Sequence, residues 1–292
     1  MRNLILSSIV SLILVPNAFA QMSPDSQNQK QQSNQPNLPQ VKKAIVVVLE
    51  NTDYDAARKQ PFLNELAAKG ASFSNFRGVA RPSQPNYIAM TSGQTHGVRN
   101  NDNHDLDVRH IGDLLEESGK DWRVYAEGFP GNCFLGAKVG KYVRKHVPFL
   151  SYVNVQTDAE RCAKVVNATE FEKDVSRGEL RDFSYYVPDL NNDGHDTGVK
   201  FADQWLRKRF SSLLSDPVFM KDTLFIVTFD EGALFRRNKI FTVFLGSQVK
   251  SGIKVSTEYN HYSLLRTLEE VFQIGTLGEK DSKAQAIHEI WN

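Results

Sequence analysis

Six short apolar runs punctuate the chain: Ala44–Leu49, Ala71–Phe76, Trp122–Ala126, Phe183–Val187, Thr223–Phe229 and Ile240–Leu245. They are rich in Val, Ile, Phe and Tyr with little polar alternation, the pattern of strands buried on both faces. Between and after them come helical periodicities: PFLNELAAKG from Pro61, RHIGDLLEESGK from Arg109, VKFADQWLRKRFSSLLSD from Val199 and YSLLRTLEEVFQI from Tyr262. Each ends near Gly or a turn residue, as helix stops do. The alternation predicts an α/β fold, a three-layer αβα sandwich around a mostly parallel central sheet. In such sheets the functional crevice lies outside the carboxyl ends of the strands. The residues directly after each apolar run are therefore where chemistry is expected.

Those residues are rich in oxygen ligands. Glu50-Asn51 ends the first run, and Asp230-Glu231, followed by Gly232, ends the fifth. After Phe183–Val187 comes PDLNNDGHD, which holds Asp189, Asn191, Asp193, His195 and Asp196. Any one of these acids taken alone reads as a helix cap. Gathered at one sheet edge they would repel each other, and a bound divalent cation relieves that repulsion. Asp189-x-Asn191-x-Asp193-Gly194 opens like a calcium-binding EF-hand loop, but the twelfth position is Lys200 and no helical pattern precedes Asp189. His195 brings an imidazole, a ligand for borderline transition metals. His261, beside Asn260 at the start of the last helix, reads either as a cap or as a companion ligand to His195.

A nucleophile candidate lies in RPSQPNYIAMTSG. Pro82 and Pro85 bracket Ser83, and a short helix then runs to Gly93. Ser83 is thus placed at a helix N-terminus, where backbone N–H groups and the dipole favour an anion. Asn86 on the first turn offers its amide to the same anion. By itself Ser83 would be an N-cap; next to a cation it becomes a good nucleophile. No G-x-S-x-G elbow, P-loop or G-x-G-x-x-G motif is present, so the sequence supports neither a serine-hydrolase triad nor a nucleotide site.

Composition narrows the setting. Arg2, the apolar run Leu4–Val15 and Ala18-Phe19-Ala20 read as an export signal over residues 1–20, too short to be a membrane span. Residues 21–40 are Gln, Asn, Ser and Pro, a disordered lead-in, and residues 41–292 form one domain. Without Arg2 the formal charge falls from +1 to 0, which gives no argument for nucleic acid or an anionic membrane. In an exported chain Cys133 and Cys162 read as one structural disulfide, with two free thiols the alternative. The expected location is secreted or periplasmic.

The ordered motifs ENTDYD, PSQPNYIAMTSG, YVRKHVPF, VPDLNNDGHDTG, FDEG and YNHYSLLRTLEE resemble the phosphoesterase family of acid phosphatases and bacterial phospholipases C, within the alkaline phosphatase superfamily. The resemblance runs from Ala44 to Phe272. It implies that Glu50, Asn51, Asp230 and Glu231 hold a metal and that Ser83 attacks phosphorus to give a phosphoseryl intermediate. It also implies that Asn86 holds a phosphoryl oxygen. His195 and His261, with Asp193 or Asp189, resemble a second metal site or a set of phosphate and leaving-group contacts. Lys145 and His146 resemble further phosphate contacts. Asp189 stands where fungal acid phosphatases often carry Asn, which leaves the number of metals open. The expected cofactor is a divalent ion: magnesium, calcium or manganese for the oxygen set, with added affinity for zinc or iron if His195 and His261 join. The expected substrate is a small phosphate monoester, with a phospholipase C-type phosphodiester reaction as the alternative.

Overall fold

The computed structural model describes residues 39–233 and 237–292. The expected export signal and the lead-in as far as residue 38 lie outside the described residues.

The chain enters the sheet at β1 (Lys43–Leu49) and crosses through α1 (Pro61–Lys69) to β2 (Ala71–Phe73). The helices α2 (Ser83–Ser92) and α3 (Ile111–Glu117) precede β3 (Trp122–Ala126), and a long irregular excursion leads to β4 (Val165–Asn167) and α4 (Thr169–Arg177). Then follow β5 (Phe183–Val187), α5 (Val199–Leu214), β6 (Thr223–Phe229), β7 (Thr242–Leu245), β8 (Ile253–Val255) and α6 (His261–Phe272). The strands form one eight-stranded sheet in the order β8-β2-β7-β6-β1-β5-β3-β4. All neighbours pair in parallel except β7, which is antiparallel to both β6 and β2. Every residue of β6 and all but the first of β1 are buried, as strands covered on both faces must be. α1 packs against α5, and α6 against α2 and α3, which gives the two helical layers.

Two expected strands are shorter than their apolar runs. The run from Ala71 leaves the main sheet after Phe73, and Phe76–Arg77 pairs instead with Lys239–Ile240 and Tyr259–Asn260 in a small separate sheet. The run from Ile240 is likewise divided between the two sheets at Phe241. The three-residue strands β4 and β8 are too short to leave a period in the sequence.

Two helices depend on neighbours for their ends. α1 starts at Pro61 without a side-chain cap of its own. Asp203, buried on α5, accepts instead from the N–H groups of Phe62 (3.0 Å) and Leu63 (2.7 Å). α2 closes on Gly93 at φ 74°, where a Cβ would collide with Asp281 Oδ1. The Cys133–Cys162 disulfide, with Cα atoms 5.6 Å apart, ties the excursion between β3 and β4 to itself.

Candidate active site

The strand order places β6, β1, β5 and β3 side by side, so their carboxyl ends deliver Asp230, Glu50, the 188–196 loop and Glu127 in that order along one edge. Backbone pairing continues past the strands and fixes this register. Asp230 N–H donates to Leu49 O (3.1 Å), Glu50 N–H to Asp193 O (2.9 Å) and Glu127 N–H to Val187 O (2.9 Å).

Ser83 is the first residue of α2, one position further into the helix than a cap, and is buried at this edge. Its Oγ donates towards Glu50 Oε2 at 3.3 Å and lies 3.5 Å from Glu231 Oε1. Asn51 donates its amide to Glu50 Oε2 (2.8 Å). Glu231 Oε2 pairs with Arg81 Nη1 (3.0 Å), and Arg81 Nη2 donates to Ala233 O. At the same N-terminus the Gln84 N–H is already taken by Asn101 Oδ1 (3.0 Å).

His146 occupies the centre of the cluster. It comes from a short 3-10 turn, Arg144–His146, and its ring stacks on Tyr87 of α2 at 4.8 Å. Nε2 lies 2.7 Å from Glu50 Oε1 and Nδ1 3.2 Å from Asp193 Oδ2, two charged contacts away from in-line hydrogen-bond geometry. Burial alone would keep the ring neutral, but Glu50 and Asp193 outweigh it and raise its pKa. Burial would likewise raise the Glu50 carboxyl; the charges of His146 and Lys145 and the amide of Asn51 overcome it and hold Glu50 well below the usual carboxylate range. Asp230 goes the other way. Burial, then the charges of Glu50 and Glu231, push it well above its ordinary value. Glu231 is also raised by burial, against the pull of Arg81.

Several of the expected site residues are engaged by partners within the protein. Asn86, expected to hold a phosphoryl oxygen, uses its whole amide on its own loop. Oδ1 accepts from the N–H groups of Val79 and Ala80 (2.9 Å each), while Nδ2 donates to Ala80 O (3.0 Å) and Pro82 O (3.1 Å). His146, expected to contact phosphate, is enclosed between two carboxylates. Lys145 beside it is half-buried and close enough to lower the carboxyl pKa of both Glu50 and Glu231. The expected second metal set is not drawn together. Asp189 Oδ1 caps its own turn, accepting from Asn191 and Asn192 N–H. His195 sits at the rim with Nδ1 2.8 Å from Asp196 Oδ1, its ring centre 6.4 Å from that of His146. His261 Nε2 is 2.6 Å from the Asp230 carbonyl, and burial lowers its pKa to about 4. Asp193 serves as the partner of His146, accepting the His195 N–H on its other oxygen (2.7 Å).

The first set fits a hard divalent cation in one respect. Both carboxylate oxygens of Asp230 are buried and, among the described residues, have no hydrogen-bond partner. Such an orphaned pair beside Glu50, Glu231 and a hydroxyl is the donor chemistry that magnesium, calcium or manganese takes. Among the described residues no three His, Cys, Asp or Glu side chains are already closed into a ligand cage. Glu231 is held on Arg81 and Asn51 turns its amide nitrogen to Glu50.

Sequence reasoning missed Glu127, Asn101 and the tie from Arg81 to Glu231. For Glu127 the signal was available: it follows the apolar run Trp122–Ala126 directly, as Glu50 and Asp230 follow theirs.

Comparison with known proteins agrees with this architecture. The family model described as "Phosphoesterase family" matches residues 17–275. A probable acid phosphatase of Kluyveromyces lactis is 34% identical over 264 residues, covering 86% of this chain and 63% of the relative. A phosphatidylinositol-3-phosphatase of Mycobacterium tuberculosis is 32% identical over 259 residues, covering 87% of this chain and 84% of the relative. The chain spans about six-tenths of the length of the fungal acid phosphatases it matches. A solved alkaline phosphatase superfamily protein from Vibrio parahaemolyticus superimposes with a TM-score of 0.61 at 16% identity, over 86% of this chain and 72% of that one. With the family model covering most of its length, this chain belongs to the phosphoesterase family.

Proposed function

We propose that this chain is a metal-dependent hydrolase of phosphate monoesters of the acid phosphatase type, working through a phosphoserine on Ser83, and that it is exported. The observation that carries the reading is the Ser83 hydroxyl held 3.3 Å from Glu50 and 3.5 Å from Glu231 at a helix start on the functional edge of the sheet. Glu50, Asn51, Asp230, Glu231 and Ser83 would hold one divalent ion, which supplies charge to the phosphoryl oxygens and lowers the pKa of the hydroxyl. The chain's own part is placement. Glu50 and Glu231 face the hydroxyl, and the buried His146 ring beside Glu50 lowers the Glu50 carboxyl pKa and aims the group. Attack of Ser83 Oγ on phosphorus forms the Ser83 O–P bond and breaks the bond to the alcohol; water then cleaves the phosphoserine to free phosphate. Charge in this reaction spreads over phosphoryl oxygens, so positioning and electrostatics carry most of the catalysis. The disulfide supports the export reading, because such bonds persist in oxidising compartments.

Ser83→Ala should remove aryl phosphate hydrolysis by at least about a thousandfold with an unchanged circular dichroism spectrum. Chelation should abolish the wild-type activity, and one of magnesium, calcium, manganese or zinc should restore it. Near-normal turnover by the variant would overturn the assignment of the nucleophile. A bis-aryl phosphate turned over faster than the monoester would replace the monoesterase reading with a phosphodiesterase one.

A further inference from the structure

We propose that Glu127 is a positioning residue for the reaction: it locks the 188–196 loop so that Asp193 grips His146 against Glu50. The proposal rests on the reading of Ser83 and its carboxylates as the reaction centre. Glu127 lies one strand beyond the loop, at the end of β3, and touches none of Glu50, Ser83 or Asp230 by hydrogen bond. Its carboxylate accepts from four donors. Oε2 takes the Asp189 N–H (3.0 Å) and the Asn192 side-chain amide (2.6 Å); Oε1 takes the Tyr186 hydroxyl (3.1 Å) and the Trp205 indole N–H (3.2 Å). The first two donors belong to the loop. The other two belong to β5 and α5, the elements on either side of it.

The loop passes this restraint to the centre through two backbone hydrogen bonds and two charged side-chain contacts. Asp193 N–H donates to Asp189 O (2.8 Å), and Asp193 O receives the Glu50 N–H (2.9 Å). Asp193 Oδ2 meets His146 Nδ1 at 3.2 Å, and His146 Nε2 meets Glu50 Oε1 at 2.7 Å. Glu50 then faces Ser83. A loop freed at Asp189 and Asn192 would let Asp193 move, and with it the ring that aims Glu50. Misplacement by about 1 Å far from the reacting atoms can cost up to about a hundredfold in rate.

The test uses Glu127→Gln, Asn192→Ala and the double variant in the full chain. Glu127→Gln replaces one of two oxygens, each of which accepts from two donors, by an NH2 group that cannot accept, so one side of the four-donor clamp is lost; Asn192→Ala removes one loop donor without touching β5 or α5. Glu127→Gln should lower kcat for an aryl phosphate about tenfold and Asn192→Ala about threefold, with KM changed less than about twofold in each. The double variant should fall no further than Glu127→Gln, because both act through one contact. Without added metal, the Glu50 amide should exchange with solvent at least about tenfold faster in Glu127→Gln, since its acceptor is Asp193 O. Should Glu127→Gln fail to fold, Asn192→Ala carries the kinetic and exchange tests alone. A folded Glu127→Gln or Asn192→Ala with kcat within about twofold of wild type, or additive losses in the double variant, would overturn the proposal. An inactive wild-type protein would instead sink the proposed function, and unchanged Glu50 amide exchange would still count against Glu127 on its own.

Discussion

Every polar atom of the Asn86 side chain is spent inside the protein, on two N–H groups and two carbonyls of the segment that leads into Ser83. Asn86 therefore sets where α2 begins and where the hydroxyl points. Its replacement separates two roles. As a phosphate ligand, Asn86→Ala would raise KM and leave stability alone. As an internal tie it leaves buried donors and acceptors unmatched, and the expected cost is about 2 kcal/mol, a fall of about 5 °C in the unfolding midpoint. A calorimetric scan with KM measured alongside decides between them; a raised KM at an unchanged midpoint would return Asn86 to the substrate. The residues that sequence located best are those for which a one-dimensional rule exists. Glu50 and Asp230 end apolar strands, so the strand itself points to them. His146 has no such marker. It reaches the centre from a turn in the excursion after β3, and only the fold shows that its two nitrogens face Glu50 and Asp193.

At the scale of elements, the site depends on helices that begin where chain partners tell them to. Asp203 of α5 supplies the cap that α1 lacks, bonding two first-turn N–H groups from a position remote in sequence. This contact ties together two helices of one layer, on the side away from α2 and Ser83. Asp203→Ala should cost about 2 kcal/mol in urea unfolding, since it removes a charged acceptor from two buried donors. The kcat per folded molecule should stay within about twofold of wild type; a matching loss of kcat would mean that this layer controls the catalytic edge. The α1 and α5 periodicities were plain in the sequence, as was the parallel core built on β1, β5 and β6. The cap was not, because a cap is recognised by proximity in sequence and this one is made through space. The antiparallel member of the eight-stranded sheet, β7, was hidden for a related reason. A buried strand has the same apolar run in either direction, and only its connections reveal which way it runs.

For the whole molecule, the buried pair Glu269–Asp281 sets a dependence on pH that is separate from catalysis. Glu269 lies on α6, which begins at His261 on the Asp230 carbonyl, and Asp281 packs under Gly93 at the end of α2. Both carboxyl groups are buried. Asp281 accepts backbone N–H groups on both oxygens, from Leu277 (2.8 Å) and Glu279 (2.9 Å), whereas neither oxygen of Glu269 has a donor among the described residues. The proton of the pair thus resides on Glu269, and burial followed by the charge of Asp281 pushes its pKa from 4.5 to about 9. Below about pH 4.5 the group is protonated in both folded and unfolded chains, and it contributes no pH dependence. As the pH rises from 4.5 towards 9 the unfolded chain gives up this proton and the folded one retains it, so the unfolded state binds fewer protons and stability falls. Glu269→Gln keeps an N–H donor for Asp281 and has nothing to titrate. Its stability in urea should be close to wild type near about pH 5 and exceed it by about 4 kcal/mol at about pH 8. Other titrating groups cancel in this difference because both proteins carry them. An equal offset at the two pH values would place the proton elsewhere. A gap that opens with pH would mean that the packing between the two helices that carry Ser83 and His261 is itself more stable in acid.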